Sequence, residues 1–132
     1  MKTTVKVYKL VWNFNKAIKN RSQSFINEHF FGIENILDGV YKGGWILGYK
    51  RHFSRKVVEI FLRYDNNNKS IITRVKCLHK PSLQHTIRLQ QLVADSKNTA
   101  YTGIIRTAKM GFLTNRDALK NKIGGSYLVK FF

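Results

Sequence analysis

The chain has 132 residues, a length that suits one compact domain or two small packed subdomains and that needs no disulfides to fold. Its 24 Lys and Arg face only seven Asp and Glu, for a formal net charge of +17, which argues against an enzyme for anionic metabolites and for a polyanionic partner. With 43% hydrophobic and 13% aromatic residues the chain is no disordered basic tail, so a folded domain that meets nucleic acid is the first reading and an anionic membrane surface the weaker competitor.

Val7, Leu10, Val11, Phe14 and Ile18 recur at helical spacing and predict a first helix, although residues 3–7 also read as the start of a strand. Lys19, Asn20, Arg21 and Ser22 end that element with polar groups. Ile33, Ile36, Leu37, Val40 and Tyr41 mark a second helix, closed by Gly43 and Gly44, because glycine takes the left-handed cap without strain. Glu34 and Asp38 share an outer face there, either as solvated charges or as a surface toward a basic protein partner.

A β meander follows. Residues 45–49 are short and apolar, and residues 57–64 alternate with both faces used. Residues 65–68 form an Asp/Asn turn, and Ile71, Thr73, Val75 and Cys77 alternate again, which predicts a hairpin with the preceding strand. Pro81, the only proline, places a subdomain boundary near residues 79–82. Beyond it come a strand near Ile87, an irregular stretch to Thr102, a short strand at Ile104 and Ile105, and a basic loop from Arg106 to Gly111. Thr114 and Asp117 form a capping-box pattern for one short helix. Gly124 and Gly125 are expected to end that helix, and residues 126–131 read as a closing strand.

The expected fold class is therefore α+β, with two small α+β subdomains packed together. Residues 1–78 would hold two helices and the meander, and residues 79–132 a β-rich unit with one short helix.

One cysteine, Cys77, leaves no internal disulfide and suits a reducing compartment. No run of about 18 apolar residues predicts a membrane span, and residues 1–10 lack the marks of a signal or transit peptide. Phe, Tyr, Met, Ile, Asn and Lys total 56 residues against 23 of Gly, Ala, Arg and Pro, which implies an AT-rich gene and so an organelle genome.

Charge is uneven. Residues 1–66 carry 12 basic and five acidic side chains, and residues 67–132 carry 12 and two. Motifs for chemistry are thin. Cys77, His79 and His85 lack a fourth ligand and fit no structural zinc spacing. There is no P-loop, dinucleotide fingerprint, nucleophile elbow or carboxylate pair, so no catalytic residue, metal, cofactor or small-molecule substrate is expected. Phe30, Phe31 and Trp45 sit among apolar neighbours and read as core rather than as stacking platforms. In the basic loop, hydroxyls and backbone amides suit bases and ribose 2′-OH groups. Gly111 admits close backbone approach, and Arg106 and Lys109 suit phosphates. The helix after Thr114 offers free amides to a further phosphate.

Residues 111–118, Gly-Phe-Leu-Thr-Asn-Arg-Asp-Ala, resemble a segment of the S-eight family of small-subunit ribosomal proteins. Ile123-Gly124-Gly125 resembles that family's Gly-Gly near its C-terminus, and His79-Lys80-Pro81-Ser82 its turn after a hairpin. Residues 15–21 are similar to its first helix ending, and the order helix, short strand, helix, meander agrees. The family's Ser-Thr-Ser-Lys-Gly loop is altered here to Arg106-Thr107-Ala108-Lys109-Met110-Gly111. With one inserted residue Thr107 and Lys109 match the family's Thr and Lys. Without a gap Thr107 falls on the first Ser and Met110 on the Lys. Gly-Gly-Glu becomes Gly124-Gly125-Ser126, and a frequent tyrosine is Thr86.

The resemblance implies two packed α+β subdomains and a structural protein of the small ribosomal subunit. It would bind the central domain of small-subunit rRNA, mainly through its C-terminal subdomain, beside the S-five ribosomal protein. Divergence and AT-rich usage point to a mitochondrial ribosome, with a plastid one second. The alternative is a free basic RNA-binding regulator or assembly factor. The residues expected at RNA are Lys19, Asn20, Arg21, Lys80, Ser82, Arg88, Arg106, Thr107, Ala108, Lys109, Met110, Gly111, Thr114, Arg116 and Lys122.

Overall fold

A computed structural model of the chain describes residues 2–78, 86–95, 101–107 and 110–132. The first helix, α1, runs from Lys2 to Lys19, so residues 3–7 are helix and not strand. It buries Val7, Leu10, Val11, Phe14 and Ala17 along one stripe. Strand β1 (Ser24–Glu28), helix α2 (Ile33–Lys42), strand β2 (Ile46–His52) and strand β3 (Val57–Leu62) follow. They build an antiparallel sheet in the order β1-β3-β2. α2 buries Ile33, Ile36, Leu37 and Val40 and ends as expected. Gly44 takes φ +78°, the Trp45 amide donates to the Val40 carbonyl at 3.1 Å, and the Gly44 amide to Tyr41 at 3.0 Å, the paired bonds of a left-handed helix stop.

Residues 71–77 do not complete a hairpin with β3. Alternation tells which face a strand presents, not which strand it pairs with. β3 already has β1 on one edge and β2 on the other, so it has no edge left to offer. After a single bridge between Tyr64 and Ser70 the chain crosses over, and β4 (Val75–Cys77) pairs instead with the final strand, β8 (Gly125–Phe131). The boundary at 78–79 thus falls just past a strand that belongs to the second sheet.

That sheet also holds β5 (Thr86–Ile87), β6 (Thr102–Thr107) and β7 (Gly111–Thr114). β8 is its spine. β4 and β5 pair with successive parts of one edge of β8, β6 takes the other edge, and β7 pairs with β6. Two short helices belong to this half rather than one: α3 (Leu89–Asp95) and α4 (Asn115–Lys120). α3 lies where an irregular stretch was expected. Its start is closed by Gln91, whose side-chain oxygen accepts from the Arg88 amide at 3.1 Å. Glycines 124 and 125 do not end α4. The helix stops at Lys120, and Lys122, at φ 55°, reverses the chain. Gly125 lies inside β8, where a Cβ would sit 2.4 Å from the Arg106 carbonyl oxygen, so it is required by close strand approach and not by a cap.

One core spans the two sheets. It joins the α1 and α2 stripes and Val58, Ile60 and Leu62 of β3 to Val75, Ile104, Leu128, Val129 and Phe131 of the second sheet. Phe14 is fully buried and meets Phe25 of β1 at 4.9 Å and Phe131 of β8 at 5.2 Å, both edge-on. Next to it, the Asn15 side chain binds the backbone of β4 twice. Its amide donates to the Val75 carbonyl at 2.9 Å, and its oxygen accepts from the Val75 amide at 3.0 Å. Asn15 thus stands in for a strand along the outer edge of β4. Asn15→Ala leaves both Val75 groups without this partner and should cost about 2 kcal/mol in urea unfolding. A loss below about 0.5 kcal/mol would show that water replaces the pair.

Candidate RNA interface

At one end of the second sheet the register aligns residues far apart in sequence. Thr86 pairs with Ser126, Ser126 with Arg106, and Arg106 with Phe112. Arg88 follows β5 directly, and Lys122 lies in the short link from α4 into β8. Arg88, Arg106, Met110, Gly111, Arg116 and Lys122 are all exposed. The fold therefore gathers Arg88, Arg106 and Lys122 around one end of β8, with the β6–β7 hairpin beside them. Arg116 opens α4 directly after β7.

The hydroxyls expected at RNA hold the local structure instead. Thr107 is buried, its hydroxyl donates to the Gly111 carbonyl at 2.8 Å, and it accepts from the Met110 amide at 3.0 Å. It fastens the hairpin turn. Gly111 takes φ +70° with open space where a Cβ would be, so its glycine answers to the turn. Thr114 is buried and accepts from the Asp117 amide at 3.1 Å as the cap of α4. The Arg116 amide donates to the Asn115 side chain at 3.1 Å. With both amides engaged and the Asp117 carboxylate in the first turn, the start of α4 is not the open phosphate site expected there. A cleft beside it is lined by Gly39, Lys42, Gly43, Thr102, Thr114, Arg116 and Asp117. It brings Lys42 next to Arg116, a pairing of α2 with α4 that sequence spacing does not show.

Lys19, Asn20 and Arg21 are exposed but stand apart, at the end of α1 near the first sheet. Arg21 lines a groove with Gln23, Leu47, Phe61, Tyr64, Asp65 and Asn68. Burial pushes the Tyr64 phenol up, and the Arg21 charge pulls it back. Lys80, Ser82, Ala108 and Lys109 lie outside the described residues, as do His79 and His85. Among the described residues, no three His, Cys, Asp or Glu gather as a metal site needs. Of the three aromatics read as core, Phe30 is buried and Trp45 half-buried, its indole donating to the Thr102 hydroxyl at 2.8 Å. Phe31 is 95% exposed.

The acidic face of α2 is engaged within the chain. Glu34 meets Arg51 at 3.2 Å and His29 at 3.4 Å. Asp38 accepts from the Tyr49 hydroxyl at 2.5 Å, and the Tyr49 phenol is pushed up to about 12, first by burial and then by that bond.

Arg21 and Lys122 share a geometry. Each is the left-handed residue that ends a helix, at φ 53° and 55°. The residue after each donates back five positions, Ser22 to Ala17 at 2.9 Å and Ile123 to Ala118 at 2.9 Å. Glycine is the usual occupant, because a side chain there costs about 1 kcal/mol. A basic side chain held in such a backbone points to a use for the charge. Arg21→Gly and Lys122→Gly should each raise stability by about 0.5–1 kcal/mol in urea unfolding and weaken binding to a small-subunit rRNA transcript. Higher stability with unchanged binding would separate the strain from RNA.

The family model described as Ribosomal protein S8 matches residues 8–132. Curated relatives are each named small ribosomal subunit protein uS8. That of Buchnera aphidicola subsp. Cinara cedri is 33% identical over 96 residues, 72% of each chain. That of Nautilia profundicola is 28% identical over 116 residues, 86% of each. That of Sulfurovum sp. is 30% identical over 87 residues, 64% of this chain and 65% of the relative. A match across nearly the whole chain, over a fold that exposes basic groups at one sheet end, identifies the chain as a member of the ribosomal protein S8 family.

Proposed function

We propose that the chain is a structural component of the small ribosomal subunit, not an enzyme, and that it binds the central domain of small-subunit rRNA. The observation that carries this reading is the gathering of Arg88, Arg106 and Lys122 around one end of β8, from three separate stretches of sequence. Phosphate contacts from such groups position a domain on folded RNA, while the turn backbone at Met110 and Gly111 is free to approach bases and ribose. The seven acids cannot neutralise a charge of +17, so binding is driven by counterion release.

The family places the S-five ribosomal protein beside this one, and we assign it to the first subdomain, away from the β6–β7 hairpin. The AT-rich residue usage supports a mitochondrial ribosome before a plastid one. The relatives named above are bacterial, so the organelle rests on composition and on the altered 106–111 loop alone.

Binding to a central-domain rRNA fragment tests the surface. Replacing Arg88, Arg106 and Lys122 together by Gln should flatten the plot of log affinity against log salt by about two units, since each phosphate left unneutralised removes roughly 0.7–0.9 from the slope. Affinity near physiological salt should fall at least about ten-fold. A folded triple variant with wild-type slope and affinity would overturn the assignment.

A further inference from the structure

At the opposite end of β8 lies a second basic cluster that the loop surface does not use. Lys76 of β4 and Lys130 of β8 are direct cross-strand partners. Like charges so placed destabilise a sheet, with Cα atoms only about 5 Å apart. Neither has a carboxylate partner among the described residues. The ion pairs found there all lie on Glu34 and Glu59, in the first half of the chain.

Aromatic rings hold the cations in place. The Lys130 ammonium lies 4.4 Å from the Tyr101 ring centre and 4.8 Å from that of Tyr127. The Arg74 guanidinium lies 4.9 Å from the Phe132 ring, and that ring stands 5.9 Å from Tyr101. Gly103, the partner of Lys130 on the other edge, makes room for this: a Cβ there would sit 2.4 Å from the Tyr127 ring. Arg74 and Lys76 are exposed, and Lys130 and Phe132 are half-buried. Four residues of β8, about 13 Å, separate Lys130 from Ser126 and the loop surface.

We propose that Arg74, Lys76 and Lys130 form a second RNA-binding surface, which takes the phosphodiester backbone of a single RNA strand. An anion between Lys76 and Lys130 relieves a repulsion that the free protein carries. The ring stack fixes Lys130 and Arg74 so that little side-chain freedom is lost on binding. The open edge of Phe132 offers a stacking face to a base beside the phosphate. This surface deepens the RNA-binding reading above and rests on it, but it has its own probe.

The experiment measures fluorescence anisotropy of a labelled 12-nucleotide uridine RNA, which has no structure for the loop surface to recognise. Lys76→Gln with Lys130→Gln should weaken binding at least ten-fold without lowering the melting temperature, since the change removes a repulsion. Lys130→Arg should restore most of the affinity, and Phe132→Leu should lose a few-fold. The Arg88/Arg106/Lys122 triple variant should bind this RNA as the wild type does while losing the rRNA fragment. If the triple variant keeps the rRNA fragment, the loop assignment fails and the second surface stands on the uridine RNA. A folded Lys76→Gln/Lys130→Gln protein that binds uridine RNA like the wild type overturns the second surface, and so does a wild type that does not bind it. Tighter binding of a 12-residue polyglutamate peptide, lost in the same variant, would overturn it in favour of an acidic protein segment.

Discussion

Phe14 joins the two halves of the molecule. It is fully buried, and it reaches the ring of Phe25 in the first sheet and the ring of Phe131 in the second. α1 carries it, and the next residue, Asn15, ties the same helix to the outer edge of β4. Burial of one aromatic ring between two sheets, with a paired amide at its side, sets where β8 lies relative to the first sheet. Since β8 pairs with β4, β5 and β6, its placement positions every segment that brings a basic group to the second sheet.

The distribution of charge follows from this packing. Three of the seven acids, Glu34, Asp38 and Glu59, bind groups of α2, β2 and the loops around them. The Glu59 carboxyl is held below its usual range, chiefly by its bond to His52, with Ser24 adding to it. Asp117 stands in the first turn of α4. The acids therefore serve local structure in the first sheet and at one helix start, and both ends of β8 remain positively charged. A field of one sign along one strand draws in a polyanion and holds it in a salt-dependent way.

Much of this fold is legible in the sequence. The apolar stripes of α1 and α2, the Gly43-Gly44 stop, the Thr114 cap and the final strand all follow from spacing and residue type. What is not legible has a physical cause in each case. The partner of β4 depends on which edges are already taken, and alternation in residues 71–77 carries no such information. α3 has only seven residues and opens with Arg88 rather than a Ser, Thr, Asp or Asn cap, so its start shows no usual signature. Gly124-Gly125 reads as a helix stop because glycine serves both left-handed caps and close strand approach, and only the position of the Arg106 carbonyl decides between them. The site divides in the same way. Basic residues are visible as charge, but the convergence of Arg88, Arg106 and Lys122 depends on strand order. Thr107 and Thr114 look available until their hydroxyls are found closing a turn and a helix. Arg21 and Lys122 give no sign of their left-handed backbone, since glycine is the residue that normally announces it.

The most direct test of the central claim is to recover the protein from its own cells. Sucrose-gradient sedimentation would be run at rising salt, with ultraviolet crosslinking and sequencing of the RNA that travels with it. The account predicts retention in the small subunit at high salt and crosslinks from the β6–β7 hairpin and Arg88 to the central domain of the rRNA. Release to the top of the gradient at modest salt, with mixed RNAs attached, would contradict it and would mean that the family fold serves a looser RNA-binding task.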